Sequence, residues 1–255
     1  MDSQVLPAEM RADAPVPRYE LTEWRERYGV SAGITIRGNG AVPFDLGLAG
    51  VTTPIGEILP RWRAFRAAVP GFTGVVISQQ VHGTKVLWHE AARGMIIEDG
   101  ADGHATAAPG VLLAVSVADC IPVYLVDPVG RRVALLHAGW RGTAAGVLGQ
   151  GLELLAARGS LVENVVIHCG IGICGECYEV GSEVLTACGV PAPEGIRQRL
   201  DLRSILKRQA REMSVAKVST SDHCSAHGGS EFFSHRASGG AAGRMIAYLG
   251  FPLEH

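Results

Sequence analysis

Residues 131–142 read RRVALLHAGWRG: an apolar strand pattern that ends on His137, followed by small residues, an indole and a guanidinium. A strand end can deliver an imidazole to a pocket as ligand or base. A core histidine satisfied by one carbonyl ahead of a glycine turn is the plainer alternative. Upstream, residues 122–126 and 131–136 form two strand patterns joined by DPVG, whose Asp, Pro and Gly are turn formers. An antiparallel hairpin closed by a loop of two or four residues would set Val126 opposite Arg131, Tyr124 opposite Val133 and Cys120 opposite His137. Opposed side chains have Cβ atoms about 4.5–5.5 Å apart. A thiolate and an imidazole at that separation can share a metal ion, or the imidazole can activate the thiol. Asp119, next in the chain to Cys120, could orient an imidazole N–H or act as a general base; a turn residue bonding its own backbone is the simpler reading. His82, in QQVHGTKV, is a third donor on a glycine-containing turn between strands. Two histidines and a cysteine would leave a tetrahedral zinc ion one open position, although no local spacing ties His82 to the other two.

Other strings are weaker. GIGICG fits G-x-G-x-x-G, but no βαβ array surrounds it, so close backbone approach explains the glycines better. Within it, Cys174 and Cys177 form C-x-x-C. No second C-x-x-C or H-x₃-H follows, so free thiols are expected there. The zinc-deaminase string H-x-E before P-C-x-x-C is absent, as is a Walker A motif. Trp140 reads as packing for the His137 loop, and Arg141 suits a phosphate.

These residues must be positioned by a mixed set of elements. Strands are expected at GVSAGITIRG, GVVISQ, TKVLW, VLLAVSV, PVYLV, RRVALL, NVVIHCGIGI, AKVST, EFFSH and RMIAYL. Thr53-Pro54 opens a helix with a stripe of Ile55, Ile58, Leu59, Trp62, Phe65 and Val69. Further helical patterns cover 142–158, with Gly159 past the end, and stretches near 178–188 and 201–213. Both faces of the 122–136 hairpin are apolar, as in a covered, layered core. The expected fold class is α+β, with a loosely held arm at 1–17, one catalytic domain at 18–252, and 253–255 (LEH) as a tag remnant.

Bulk properties narrow the function. The 255 residues are 47% hydrophobic and 19% charged with net charge −2, which gives no footprint for nucleic acid or an anionic membrane. The longest apolar reach, GVLLAVSVADCIPVYLV, is too short and too interrupted to span a bilayer. No basic, then apolar, leader pattern opens the chain. Six cysteines in that context point to reduced thiols and a cytoplasmic location.

QVHG at 80–83, ADC at 118–120, HAGWRG at 137–142 and YEVG at 178–181 together resemble the YfiH-like family, also labelled polyphenol oxidase (laccase-like) and purine nucleoside phosphorylase. The resemblance continues through DL at 201–202, Cys224, FFSHR at 232–236 and GR at 243–244. It implies a zinc site at His82, Cys120 and His137, an α/β/β/α layered sandwich with mixed sheets, and phosphorolysis of adenosine or inosine with adenosine deamination alongside. A purine nucleoside and phosphate would be the partners. Cys120, His137 and Asp119 would then carry the chemistry, Arg141 and Arg37 the anion, and Gln80 the base or ribose. Departures fall at Asp45, where an Asn is usual, at His235, where the family has an aromatic hydroxyl, and in GICGEC. Rival readings are a Cys–His hydrolase, a peptidoglycan-editing factor, a copper-dependent polyphenol oxidase, less expected because its copper sites need more histidines, and a zinc-stabilised binding module.

Overall fold

The structure is a computed structural model that describes residues 9–48, 53–227 and 231–253. Strands and helices are numbered along the chain. One sheet has the order β1 (Glu9–Ala12), β2 (Arg18–Leu21), β3 (Ser31–Thr35), β15 (Met245–Gly250), β8 (Val111–Val117), β4 (Gly74–Gln79) and β6 (Gly94–Asp99). The other has the order β14 (Lys217–Thr220), β11 (Val166–Cys169), β9 (Ile121–Asp127), β10 (Arg132–Ala138), β7 (Gly103–Thr106) and β5 (Val86–His89). Both are mixed: β4 runs parallel to β6 and β8, β11 to β14, and β5 to β7. A ribbon of β12 (Glu179–Gly181) and β13 (Arg197–Arg199) stands apart. The helices are α1 (Thr22–Tyr28), α2 (Ile55–Ala68), α3 (Trp140–Ala145), α4 (Val147–Ala157), α5 (Ser182–Ala187) and α6 (Leu202–Glu212).

Strand alternation sorts the apolar residues into layers. Along β10, Val133 and Leu135 enter the core between the sheets, whereas Ala134, Leu136 and Ala138 face the layer of α4 and α6. Along β8, Leu113, Val115 and Val117 point inward, and Leu112 and Ala114 meet Ile58, Trp62 and Phe65 of α2. The result is the expected α/β/β/α sandwich. No helix among the described residues is long and apolar enough to cross a membrane.

Several local expectations are corrected. Residues 9–12 of the expected loose arm pair with the free edge of β2, and Val16 behind them is fully buried; residues 1–8 lie outside the described residues. Leu253 donates its N–H to the Gly71 carbonyl at 2.8 Å, and 254–255 of the expected tag remnant lie outside the described residues. Ile55 and Leu59 are exposed, so the stripe of α2 narrows to Ile58, Trp62, Phe65 and the following Val69. The helix expected over 142–158 begins at Trp140 and breaks at Gly146, whose φ of 87° is left-handed. EFFSH is a turn: Phe232 and Phe233 are both buried in the core between the sheets, which adjacent residues of a one-sided strand cannot achieve. β2, β6, β7 and β13 were not anticipated, and the helical pattern expected near 178–188 opens with β12 before α5; β7 (GHAT) is buried throughout and shows no polar alternation.

The β9–β10 hairpin differs from the expected register. Asp127 Oδ1 accepts the N–H groups of Val129 and Gly130 at 3.0 and 2.9 Å, fixing a four-residue turn at 128–131 closed by Asp127 and Arg132. His137 therefore pairs with Pro122, and Cys120 lies one diagonal step beyond. A two-residue slip keeps every side chain on its original face, so the two donors stay on one side.

Candidate active site

Three connections step from the seven-stranded to the six-stranded sheet, and each carries a residue of the site. His82 lies between β4 and β5, Asp102 between β6 and β7, and Cys120 between β8 and β9. His137 arrives near the end of β10. The ligand atoms of His82, Cys120 and His137 lie within 4.8 Å of one another, and the two imidazoles meet edge-on with centroids 4.9 Å apart.

Asp102, fully buried, is the hub that sequence reasoning missed. Its carboxylate accepts the backbone N–H groups of Val81, His82 and Gly83 at 3.2, 2.9 and 2.7 Å, which holds the QVHG turn and the left-handed backbone of His82 (φ 60°). Oδ1 also bonds Nδ1 of His137 at 2.9 Å, leaving Nε2 as the ring atom for the cluster. The orienting role weighed for Asp119 is filled by Asp102. Asp119 instead accepts the Ser225 hydroxyl at 2.6 Å and the Arg236 backbone N–H at 2.7 Å, bonding distant loops rather than its own turn.

Two glycines of HAGWRG are explained by close approach. A Cβ on Gly139 would lie 2.9 Å from Cys120 Sγ and 3.0 Å from His82 Cδ2, and one on Gly142 would lie 2.9 Å from the Gly83 carbonyl oxygen. The turn therefore seats directly on the donors.

Burial pushes the Cys120 thiol up, but His137 and then His82 outweigh it and bring the thiol down to about 6. Burial likewise lowers His137, while Cys120 and Asp102 raise it to about 9. Each shift favours the charged form of its own group, so the thiol and the imidazole stabilise one another as ions. Asp102 stays below its ordinary value: burial opposes ionisation, but the His137 ring and the Gly83 and Val81 N–H groups more than offset it.

The cluster opens into a cleft of about 730 Å³ whose wall includes Trp140, Arg141, Tyr178, His235, Arg236 and Arg244. This volume suits a small organic ligand. Arg141 stacks over Trp140 at 4.3 Å, so the indole is both packing and cleft wall. Arg37 is not among the residues lining the cleft; its N–H donates to the Glu231 carbonyl and its own carbonyl accepts from Phe44. Arg236 and Arg244, in the sequence motifs but given no role there, are on the wall in its place. Gln80 lines the cleft but commits both ends of its amide to Ser116, donating to the carbonyl at 2.8 Å and accepting the N–H at 2.7 Å. Asp45 organises the loop beneath Arg244, accepting the Arg244 and Gly47 N–H groups and the Thr53 hydroxyl.

A family model described as multi-copper polyphenol oxidoreductase laccase matches residues 60–252. The fold superposes on the crystal structure of Bacillus licheniformis hypothetical protein YfiH with a TM-score of 0.84 and 25% identity, over 96% of this chain and 98% of that one. The chain belongs to the YfiH-like family. Another YfiH-like structure, YlmD from Geobacillus stearothermophilus, gives a TM-score of 0.84 with 27% identity, over 97% and 100% of the two chains. A Deinococcus radiodurans relative named purine nucleoside phosphorylase is 37% identical over 199 residues, 74% of this chain and 76% of its own. Another, adenosine deaminase RL5 from an unknown prokaryotic organism, is 31% identical over 191 residues, 68% and 73% of the two chains. In this YfiH-like chain the cleft wall also carries His235, an exposed imidazole.

Proposed function

We propose that this YfiH-like protein is a zinc-dependent purine nucleoside phosphorylase acting on adenosine and inosine, with adenosine deamination as a second activity. The observation that carries the reading is the convergence of His82, Cys120 and His137 at the cleft, held by Asp102. Two neutral imidazoles and a thiolate fit zinc with one position left for substrate, and the buried carboxylate on His137 is the outer partner such ligands use. Among the described residues, neither cluster of metal-capable donors holds more than two histidines, which disfavours a multi-copper oxidase.

Bound there, zinc supplies positive charge at the leaving base and acidifies a water molecule. In phosphorolysis a phosphate oxygen bonds to C1′ of the ribose as the bond to the purine nitrogen breaks, and the electron pair leaves with the purine. Arg141 and Arg244 anchor the phosphate by charge-assisted hydrogen bonds. Tyr178, pushed up to about 12 by burial and then by the Cys120 charge, stays protonated at neutral pH and donates to the departing base. Asp119 and Gln80 keep the walls in place. Deamination replaces the exocyclic amine with a water oxygen and releases ammonia.

Protein purified without a metal-affinity tag should contain zinc and convert adenosine and phosphate to adenine and ribose-1-phosphate, with inosine as the deamination product. Cys120→Ala should abolish both reactions. Metal-replete protein forming neither product overturns the proposal.

One observation favours a second reading. Asp102, His137 and Cys120 are arranged as an orienting acid, a base and a thiol nucleophile. A Cys–His hydrolase built this way would survive chelation and be inactivated by alkylation of Cys120; the zinc enzyme would be inactivated by chelation.

A further inference from the structure

We infer that the chain holds a second metal ion, a structural zinc bound by Cys174, Cys177, Cys224 and His227, apart from the cluster at His82, Cys120 and His137. The four ligand atoms lie within 4.8 Å of one another. Nδ1 of His227 is 3.0 Å from Cys177 Sγ and 3.6 Å from Cys174 Sγ. Zinc bonds of about 2.3 Å to sulfur and 2.0–2.1 Å to nitrogen place tetrahedral ligands roughly 3.5–3.8 Å apart, so a small adjustment of these side chains suffices.

The topology explains the meeting. β11 and β14 are parallel neighbours, Cys169 beside Thr220, and the chain beyond them continues side by side to a bridge between Gly172 and Cys224. Two short turns then face each other, one contributing C-x₂-C and the other C-x₂-H. Cys224 Sγ accepts the backbone N–H groups of Cys174 at 3.3 Å and Ala226 at 3.4 Å, which favours a thiolate. Arg203, nearly buried, bonds the Gly172 and Ser221 carbonyls at 2.8 Å each, setting a guanidinium where the loops join. A redox pair of Cys174 and Cys177 would leave the convergence of Cys224 and His227 unexplained.

Four protein donors close a zinc site, so its role is to hold structure rather than to react. Zinc takes cysteine as thiolate and histidine as neutral imidazole, so binding releases protons to solvent. The ion would clamp the loops whose Ile173 N–H and Ser225 hydroxyl bond Asp119, at 2.8 and 2.6 Å, and so fix the cleft wall at Ile173 and Tyr178.

Native mass spectrometry and elemental analysis of tag-free protein test this. Cys177→Ser and His227→Ala should each carry one zinc fewer than the wild type, and Cys120→Ser should retain the zinc they lose. In case those variants do not fold, cobalt-loaded Cys120→Ser provides an independent measure. It should show the intense sulfur-to-metal charge transfer of a three-thiolate site. An unchanged metal count in Cys177→Ser, or cobalt-loaded Cys120→Ser without thiolate charge transfer, overturns the inference.

Discussion

Asp102 and His137 are bonded twice, through Oδ1 to Nδ1 at 2.9 Å and through the Asp102 carbonyl to the His137 N–H at 2.7 Å. The first bond sets which ring nitrogen faces Cys120, and the second sets the height of β10 against the turn carrying His82. Asp102→Asn keeps the volume but loses the charge that three backbone N–H groups and the imidazole share. Zinc affinity should fall ~10–100-fold, the usual effect of removing an outer-shell partner. Competition with a chromophoric chelator measures it, and unchanged affinity would show that the carboxylate does not tune the ligands.

Gly139 sits at an ordinary φ of −78°, so alanine there brings no backbone strain, only a methyl group against Cys120 Sγ and His82. Gly139→Ala should therefore fold with near-native thermal stability yet bind metal and turn over substrate poorly. A variant with full zinc and full activity would mean that the seat is looser than the distances imply.

If Arg141 and Arg244 grip phosphate, Arg244→Met should raise the KM for phosphate and leave adenosine deamination, which uses no phosphate, largely intact. The loss of a charge-assisted hydrogen bond, ~1.5–3 kcal/mol, corresponds to roughly ten- to over one-hundredfold. Steady-state kinetics of both reactions would separate this from general damage, which would depress them together.

Ser78 Oγ, His104 and His89 form a buried chain, with contacts of 2.9 Å to Nε2 and Nδ1 of His104. Burial, then the neighbouring His89, holds His104 down at about 3. An unfolded chain protonates it at its ordinary 6.5. Between those values the unfolded state takes up the extra proton, so stability is complete above pH 6.5 and falls by up to about 1.4 kcal/mol per unit on acidification. Urea unfolding at pH 7.5 and pH 5 should show a steeper loss for the wild type than for His104→Gln. Equal losses would mean that His104 is protonated in the fold.

The legible parts of the site were those marked by rare residues in distinctive company. His82 and Cys120 adjoin a glycine and an acid, and His137 opens HAGWRG at the end of an apolar strand pattern. Asp102 was not legible. GADG reads as an ordinary turn, and its importance lies in accepting from a loop some twenty residues earlier and a strand thirty-five later. Arg37 does not line the cleft, and a strand-end arginine looks the same in sequence whether it faces a cleft or not. The partners of Cys174 and Cys177 went unrecognised because only the parallel pairing of β11 with β14 brings a C-x₂-H, fifty residues on, to their side. The hairpin register slipped by two because Asp127 closes a loop that DPVG alone does not size.

The crossings at His82, Asp102 and Cys120 have a mechanical corollary. Donors borne on bridges between two stacked layers stay together only while those layers keep their lateral alignment. Substitutions in the seam, at Tyr124 or Leu113 far from any substrate, would let one slab slide against the other by fractions of an ångström. Metal retention would then decay well before the secondary structure did, making the centre a gauge of how firmly the two halves of the sandwich are locked.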